Sequence, residues 1–299
     1  MTKAKTKNNK LSKEKLCSIF CKSRQGYYYK QKSSKYLSDK YKKIMDCITK
    51  YKRIMPYIGG RKLHYKLNNC DGIKIGRDTI FNILRDNALL VRRKKRYAKT
   101  TNSKHWYKKY PDIVKTIKIS HSEQLLVCDI TYTRTKEGFC YLSLVTDAYS
   151  RYILGYYLSK NLEAIGLELA LKMALSKRRY NTICVHHSDR GIQYCCFNYI
   201  DLLNKNGLKI SMTQTGSPYD NAIAERVNGI LKEELSLNTV FENYSEAEIA
   251  VKQAIEIYNN HRPHLSCGYL TPNEAHIKGM GLEKAWKSYH NKHSKQYSR

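Results

Sequence analysis

The stretch "QLLVCDITYTRTKEGFCYLSLVTDAYSRYILGYYLS", residues 124–159, determines the fold class. It contains three apolar runs rich in β-branched and aromatic residues, at 124–133, 139–149 and 151–159, which predict three strands. Their short connections favour an antiparallel meander. Downstream, the pattern predicts helix 161–178, strand 181–189, helix 194–207, strand 208–212 and an amphipathic helix within 213–235. This order predicts an α/β protein with a mixed five-stranded sheet flanked by helices.

The charge of the chain is concentrated in its first third. The 299 residues include 55 Lys and Arg against 25 Asp and Glu, a formal net charge of +30. Residues 1–112 hold 32 of the basic residues and 7 of the acidic ones. Such an excess predicts a polyanionic partner, above all nucleic acid, although a biased genome composition has the same effect.

Two helices separated by a glycine-bearing turn are predicted in this basic region. "GGRKLHYKLNN" (59–69) and "RDTIFNILRDNALL" (77–90) have helical apolar spacing, and "CDGIKIG" (70–76) lies between them. This is the pattern of a helix-turn-helix, although any helical hairpin shares it. Upstream, we expect a short helix, a turn at Gln25-Gly26 and a basic amphipathic helix at 38–53.

An uninterrupted basic run follows the second helix directly. It lies in a predicted linker, 91–104, and consists of Arg92, Arg93, Lys94, Lys95 and Arg96. Adjacent like charges cannot fold on themselves, but they can neutralise DNA phosphates; a solvated linker would have the same composition. We therefore predict that this run contacts DNA, as does Arg77 at the start of the second helix.

Cysteine usage and hydropathy exclude several classes of protein. The ten cysteines show no paired CxxC spacing, so a zinc site is not expected. We find no signal peptide and no apolar run long enough to span a membrane. The expected location is the cytoplasm, with reduced thiols and no membrane partner.

Three acidic residues lie on or next to predicted elements of the core. Asp129 lies near the end of the first strand, Asp189 directly follows the fourth, and Glu225 lies on the helix after the fifth. Each alone is an ordinary turn, cap or surface residue. If strands one and four are neighbours, the two aspartates meet, and a divalent cation such as Mg²⁺ would relieve their repulsion. A basic protein with such a cluster is typical of metal-dependent cutting or joining of nucleic acid.

The spacing of the three acids and the sequence motifs around them resemble those of a known family. Asp129 and Asp189 are separated by 59 residues, and Asp189 and Glu225 by 35. The words "CDITYT", "HSDRGIQY", "SMTQTGSPYDNAIAERVNGILKEE" and "YNNHRPHLSCGYLTPNEAH" are similar to those of the second-frame DDE transposases of the insertion-sequence-three family. The resemblance covers roughly residues 18–277, nearly the whole chain.

The resemblance implies a ribonuclease-H-like catalytic core, related to that of retroviral integrases. It implies that Asp129, Asp189 and Glu225 bind Mg²⁺, for which Mn²⁺ is expected to substitute, and that Lys232 contacts element-end DNA. Gln193 matches a family position expected near the scissile DNA. Asn221, one helical turn before Glu225, is expected to orient the carboxylate or contact DNA, or to cap the helix.

The resemblance also implies a reaction, partners and an organisation. The reaction is Mg²⁺-dependent cleavage at element ends, after which a 3′-OH attacks another phosphodiester. The partners are double-stranded DNA, further copies of the chain and the upstream-frame product; the setting is the bacterial nucleoid. We expect a basic DNA-binding region (1–112), the DDE core (113–236) and a C-terminal helical segment with a basic tail (237–299).

Some positions depart from the family pattern or have ordinary alternatives. Leu126 stands where relatives often have tryptophan, and Val227 and Asn228 stand where they often have aromatic residues, which affects packing and DNA-end fit.

Two alternative functions share part of the predicted architecture. A nuclease without strand transfer would share the core. A sequence-specific DNA-binding repressor would need only the helix-turn-helix, and it leaves the three acids unexplained.

Two further groups near the acids have ordinary roles available. Asp147 is expected to hold a turn, through the backbone or Arg151, and not to be a fourth acid of the site. For His186 and His187 we expect a hydrogen bond to the backbone within the strand, with a site role as the alternative.

Overall fold

The computed structural model describes residues 23–91, 106–214 and 221–283, together with the isolated positions 17 and 19. The N-terminal helices are α1 (Arg24–Ile54), α2 (Gly60–Asn69) and α3 (Arg77–Asp86). The sheet is formed by β1 (Leu125–Thr135), β2 (Gly138–Asp147), β3 (Ile153–Ser159), β4 (Val185–Ser188), β5 (Lys209–Met212) and β6 (Val240–Phe241). The remaining helices are α4 (Ala164–Ser176), α5 (Ile192–Cys195), α6 (Phe197–Lys205), α7 (Ala222–Glu233), α8 (Tyr244–Asn260) and α9 (Pro272–Lys278).

The sheet is mixed, with the strand order β3-β2-β1-β4-β5. Strands β1, β2 and β3 form the antiparallel meander, and β4 and β5 run parallel to β1. The predicted fold class is thereby confirmed. A sixth strand, the two-residue β6, pairs with the end of β1 and was not predicted. Two residues are too few to show alternating hydropathy.

The N-terminal region differs from the prediction in one respect. The expected turn at Gln25-Gly26 is wrong, because α1 runs without a break from Arg24 to Ile54 and includes the predicted helix 38–53. A glycine inside a helix costs only about 1 kcal/mol. Burial of Ile44 and Ile48 in the C-terminal half of α1 offsets this cost.

Three hydrophobic clusters cover the two faces of the sheet in the described part of the chain. On one face, α4 and α6 pack over β1, β2 and β3 through buried residues such as Leu126, Leu171 and Tyr199. Gly155 of β3 makes this packing possible, because a Cβ there would lie 2.0 Å from the carbonyl oxygen of Ala170. A second cluster combines α7 and α8 with β2, β3 and the helices α1, α2 and α3, and a smaller third one joins Ala224 of α7 to Leu125 and Val127 of β1.

The turn between α2 and α3 is held by the Asn68 and His64 side chains of α2, both of which contact Ile75. The Asn68 carboxamide accepts a hydrogen bond from the Ile75 backbone N–H (3.0 Å) and donates to the Ile75 carbonyl oxygen (3.2 Å). Gly72 has a φ of 65°, which an L side chain rarely adopts. The two helices therefore have a fixed connection, as a helix-turn-helix requires.

The helix pair is docked on the rest of the protein by a buried ion network. Glu234, just after α7, accepts hydrogen bonds from Lys62 of α2 (2.9 Å) and, in bidentate geometry, from Arg262 (2.9 Å to each oxygen). Tyr65 of α2 also stacks on Tyr269 at 4.6 Å between ring centroids. The division at residue 112 remains a prediction, while these contacts show how the two predicted regions are joined.

Candidate active site

The parallel pairing of β1 and β4 brings two acids to the same place. In this register Val127 lies opposite His187, so Asp129 and Asp189, two residues further along, lie side by side. Each carboxylate accepts a backbone hydrogen bond through its Oδ1 atom. Asp129 accepts from Ile130 N–H (3.0 Å) and Asp189 from Gly191 N–H (2.8 Å).

The environment of Asp129 disfavours its negative charge. Burial raises the pKa of this carboxyl to about 7, with the charges of Asp189 and Glu225 adding to the effect. A hydrogen bond from the Asn228 carboxamide to Asp129 Oδ2 (2.6 Å) acts in the opposite direction. The site thus holds like charges close together, which costs free energy unless a cation or protons neutralise them.

Helix α7 is attached to β1 beside these acids. Asn228 contacts Asp129, and the Asn221 carboxamide donates to the Cys128 carbonyl oxygen (3.1 Å). Asn221 occupies the N-cap position, but its side chain makes no capping hydrogen bond within the described part of the helix. The helix predicted within 213–235 thus includes α7, and residues 215–220 of that range lie outside the described part of the chain.

Glu225 lies in the first turn of α7, three residues before Asn228. Residues three apart share one face of a helix, so Glu225 is on the side of α7 that reaches Asp129. Its side chain is exposed. Within the described ranges, no three His, Cys, Asp or Glu side chains are close enough to hold one metal ion.

Lys232, two turns further along α7, lies against an aromatic ring. Its ammonium group is 4.1 Å from the centroid of the Tyr132 ring, a cation–π contact. Burial lowers the pKa of Lys232, and the charge of Asp129 acts against this shift. The contact holds a positive charge beside the acids.

The other predicted DNA contacts are distributed between two regions. Gln193 of α5 lines the same cleft as Asp129 and Asp189. Arg77 is exposed at the start of α3, where it pairs with Asp78 at 3.2 Å. The basic run Arg92, Arg93, Lys94, Lys95 and Arg96 lies outside the described residues.

Asp147 makes the contacts expected of a residue that holds a turn. Asp147 is buried and holds its turn by accepting hydrogen bonds from the backbone of Tyr149 and Ser150. The Arg151 backbone N–H also donates to the Asp147 carbonyl oxygen (2.9 Å), and the Arg151 side chain donates to the Ala148 carbonyl oxygen.

Each of the two strand histidines lies within hydrogen-bond distance of a hydroxyl group. His186 Nε2 lies 2.9 Å from the Tyr199 hydroxyl, and His187 Nδ1 lies 2.9 Å from the Ser211 hydroxyl. Both imidazoles are buried. These contacts join β4 to α6 and β5, so the histidines support the sheet beneath Asp189.

We expect His186 to make the fold sensitive to acid. Burial lowers the pKa of His186 to about 3, whereas an unfolded histidine has a pKa of about 6.5. Between these values the unfolded chain binds a proton that the folded chain does not, so stability falls as pH falls. As the pH falls from 6 to 4, the free energy of unfolding of the wild-type chain should therefore decrease more steeply than that of His186→Gln, by about 1.36 kcal/mol per pH unit. Urea unfolding of both proteins across this pH range measures the difference. Parallel plots of the free energy of unfolding against pH would contradict the prediction.

Comparisons with known proteins identify the family of the chain. The sequence model "Integrase core domain" matches residues 120–218, and a second model of the same description matches 206–272. The chain is 32% identical over 205 residues to the transposase for insertion sequence element IS629 of Shigella sonnei, covering 69% of each chain. The chain belongs to the insertion-sequence-three family of DDE transposases.

Two further relatives of the transposase extend the match. This chain is 37% identical over 153 residues to transposase InsF for insertion sequence IS3A of Escherichia coli K12, and the match covers 51% of this chain and 53% of InsF. A 31 kDa protein of insertion element IS600 of Shigella sonnei is 34% identical over 266 residues, covering 86% of this chain and 96% of that protein. The catalytic core domain of BIV integrase aligns structurally with 52% of this chain and 95% of that domain, at 19% identity and a TM-score of 0.41.

Sequence reasoning missed one residue of this transposase site. Asn228 is a departure from the family pattern in sequence, yet in the structure it is the side chain that contacts Asp129. The signal was present, because an asparagine lies on the buried face of an amphipathic helix beside Val227 and Leu231. A buried carboxamide needs a polar partner, and the nearby partner is Asp129.

The described part of the transposase contains no helix that is both long and apolar enough to cross a bilayer.

Proposed function

We propose that the transposase performs Mg²⁺-dependent cleavage and strand transfer at the ends of its own element. The observation that carries this proposal is the in-register meeting of Asp129 and Asp189, with Glu225 on the helix face beside them. A transposase needs to bind DNA in addition to this chemistry. The net charge of +30 and the docked helix pair α2–α3, which has the arrangement expected of a helix-turn-helix, support that requirement.

The acids fit a divalent metal site by their chemistry. Asp129, Asp189 and Glu225 offer only hard oxygen ligands, which Mg²⁺ prefers, and Mn²⁺ accepts the same ligands. The raised pKa of Asp129 shows a local excess of negative charge that a divalent cation would neutralise. The exposed Glu225 side chain completes the set if it rotates toward Asp129. When bound, Mg²⁺ would stabilise the charge that develops on the attacking and leaving oxygens.

The other residues of the site position the acids and the DNA. Asn228 and the backbone N–H of Ile130 fix the Asp129 carboxylate, and Gly191 N–H fixes that of Asp189. Lys232 places a positive charge where a DNA phosphate would approach the acids, and Gln193 offers a polar group on the opposite wall. Asn221 ties the start of α7 to β1 and so positions Glu225.

The proposed reaction consists of two in-line displacements at phosphorus. In the first, a water oxygen bonds to phosphorus as the P–O3′ bond breaks, which leaves a 3′-OH at the element end. In the second, this 3′ oxygen bonds to a target phosphorus while the P–O3′ bond of the target breaks. One phosphodiester is formed for each one broken in the second step, so strand transfer needs no external energy source.

The partners follow from this reaction. Double-stranded DNA supplies both the element ends and the target, and joining two ends requires more than one copy of the chain. We also propose that the upstream-frame product takes part, either fused to this chain or as a separate subunit. The place of action is the nucleoid in the bacterial cytoplasm.

The test is an assay of the purified chain with Mg²⁺ and a labelled duplex that carries the element's terminal repeat. We expect a nick that leaves a 3′-OH, followed by joined products, and neither of them in EDTA. Cleavage without joining would instead indicate a nuclease. Binding without cleavage, also in the presence of the upstream-frame product, would indicate a repressor.

The predicted DNA contact of the basic run Arg92–Arg96 has its own test. Replacement of all five residues by alanine should weaken binding on every DNA sequence, because phosphate contacts carry no sequence information. The slope of log K against log salt should become shallower by up to about 4–5 units, since each neutralised phosphate contributes about 0.9. Binding titrations from 50 to 300 mM salt measure this slope.

The matched control replaces an exposed lysine outside the basic run, Lys205, which already pairs with Asp201 at 2.7 Å. This variant should leave the slope nearly unchanged. An equal slope in the wild-type chain and the five-alanine variant would show that the run is only a linker.

A further inference from the structure

Asp129 and Asp189 line a cleft that also contains a group of apolar and aromatic side chains. The cleft has a volume of about 430 Å³. Its lining also includes the polar Thr131 and Gln193, and a group of apolar and aromatic residues that comprises Tyr132, Phe139, Tyr141, Leu162 and Ile192. This volume lies within the range of about 300–1,000 Å³ that is usual for small-molecule sites. Phosphodiester chemistry alone does not require an aromatic wall.

The aromatic residues form an ordered surface on one face of the sheet. Tyr132 lies directly opposite Tyr141, and Arg134 opposite Phe139, so these four side chains emerge on the same face. The Tyr132 and Phe139 rings meet edge to face, with centroids 5.5 Å apart and planes at 89°. The rings therefore have a fixed arrangement before any ligand arrives.

Part of this wall remains exposed to water. Phe139 is 51% exposed, Leu162 46% and Ile192 44%. Exposed apolar side chains that converge beside a polar site mark a place where a ligand is to be buried. These residues lie on three different elements, namely β2, the segment before α4, and α5.

Two cations lie at the margin of the aromatic surface. The Lys232 ammonium is 4.1 Å from the Tyr132 ring centroid, and the Arg134 guanidinium is 5.6 Å from that of Phe139. The ligand that combines an apolar flat face with an adjacent negative charge is a nucleotide. Aromatic stacking with flanking cations is the usual way in which proteins hold unpaired bases.

We propose that this cleft holds one unstacked nucleobase of the element-end DNA, packed against Tyr132 and Phe139, while its neighbouring phosphodiester lies at Asp129 and Asp189. This inference rests on the proposed function and adds a subsite to it. A base inside a duplex presents only its edges in the grooves, so it has to leave the stack before its flat face can reach the rings. The nucleotide concerned is one that flanks the scissile phosphate, because the acids and the aromatic residues line the same cleft.

The experiment compares Phe139→Ala with the wild-type chain on two kinds of element-end duplex. The first kind is the intact duplex. The second is a series of duplexes, each of which has an abasic site in place of one nucleotide that flanks the scissile phosphate. Affinities are measured in EDTA so that the DNA stays uncut. Phe139→Ala should weaken binding of the intact duplex about tenfold, as expected for a lost base–aromatic stack. At one abasic position the two proteins should bind equally, because the base is no longer there to be held.

The control variant is Phe197→Ala, which removes a 79% exposed phenylalanine that does not line the cleft. It should bind every duplex as the wild-type chain does. The inference is overturned if Phe139→Ala binds the intact duplex normally, or if its defect is the same at every abasic position. Cleavage of the intact duplex by the wild-type chain in Mg²⁺ is measured in parallel. If that reaction fails, the proposed function fails; if it succeeds without the base dependence, only the subsite is wrong.

Discussion

Asp189→Asn should bind element-end DNA as the wild-type chain does and lose cleavage and joining by at least about 10³-fold, more than the 10–100-fold typical of residues that only support a metal ligand. Asparagine has the same shape as aspartate. Its Oδ1 atom can still accept the hydrogen bond from Gly191 N–H, which is 2.8 Å from the aspartate oxygen in the native site. The substitution therefore removes a negative charge and leaves the loop after β4 in place.

The measurement is single-turnover cleavage of a labelled element-end duplex in Mg²⁺, together with the dissociation constant in EDTA. Asp201→Asn is the matched control, because Asp201 is an aspartate of α6 whose charge is paired with Lys205 at the surface. It should cleave normally. Normal cleavage by Asp189→Asn would refute the assignment of the acids, and loss of binding and cleavage together would indicate misfolding.

The meeting of Asp129 and Asp189 was predictable because it depends on strand order and register alone. Acids at equivalent positions of neighbouring parallel strands lie side by side whatever surrounds them. The apolar runs that predict β1 to β5 are local in sequence, and the structure confirms all five. The face of α7 that carries Glu225 follows in the same way from helical periodicity.

The contacts that were not predicted depend on residues far apart in the chain. Asn228 reaches Asp129 across 99 residues, and Lys62 reaches Glu234 across 172. Hydropathy patterns show which face of an element is buried, but they do not show which residue lies opposite. The continuous helix through Gly26 has the same kind of cause, since packing further along α1 overrides a local turn signal.

The second large effect is expected at the junction between α2 and the end of α7. Glu234→Gln should lower the free energy of unfolding by about 3–5 kcal/mol, because it leaves two buried cations without their counter-charge. The side chains of Lys62 and Arg262 are only 9% and 3% exposed. Burial and the neighbouring Arg262 already lower the pKa of Lys62 to about 8. Without Glu234, both cations would face each other in a poorly solvated space.

Urea unfolding at pH 7 measures this loss, and Glu242→Gln is the matched control. Glu242 pairs with Lys136 at 2.7 Å, but both side chains are about two-thirds exposed, so the control should cost at most about 1 kcal/mol. Equal losses in the two variants would contradict a special role for the buried network.

The pH dependence of stability gives an independent check of Glu234. Although burial opposes the shift, Arg262 and then Lys62 lower the pKa of Glu234 to about 2. A carboxyl whose folded pKa is lowered stabilises the fold above its unfolded pKa of about 4.3, and this contribution is lost as pH falls toward 2. The stability difference between wild type and Glu234→Gln should therefore be constant from pH 7 to about 5 and shrink below that.

Because the network joins α2 to the end of the helix that carries Glu225, its loss should also separate DNA binding by the N-terminal helices from cleavage. In Glu234→Gln at a temperature where the chain stays folded, we expect end binding to be retained and the cleavage rate to fall.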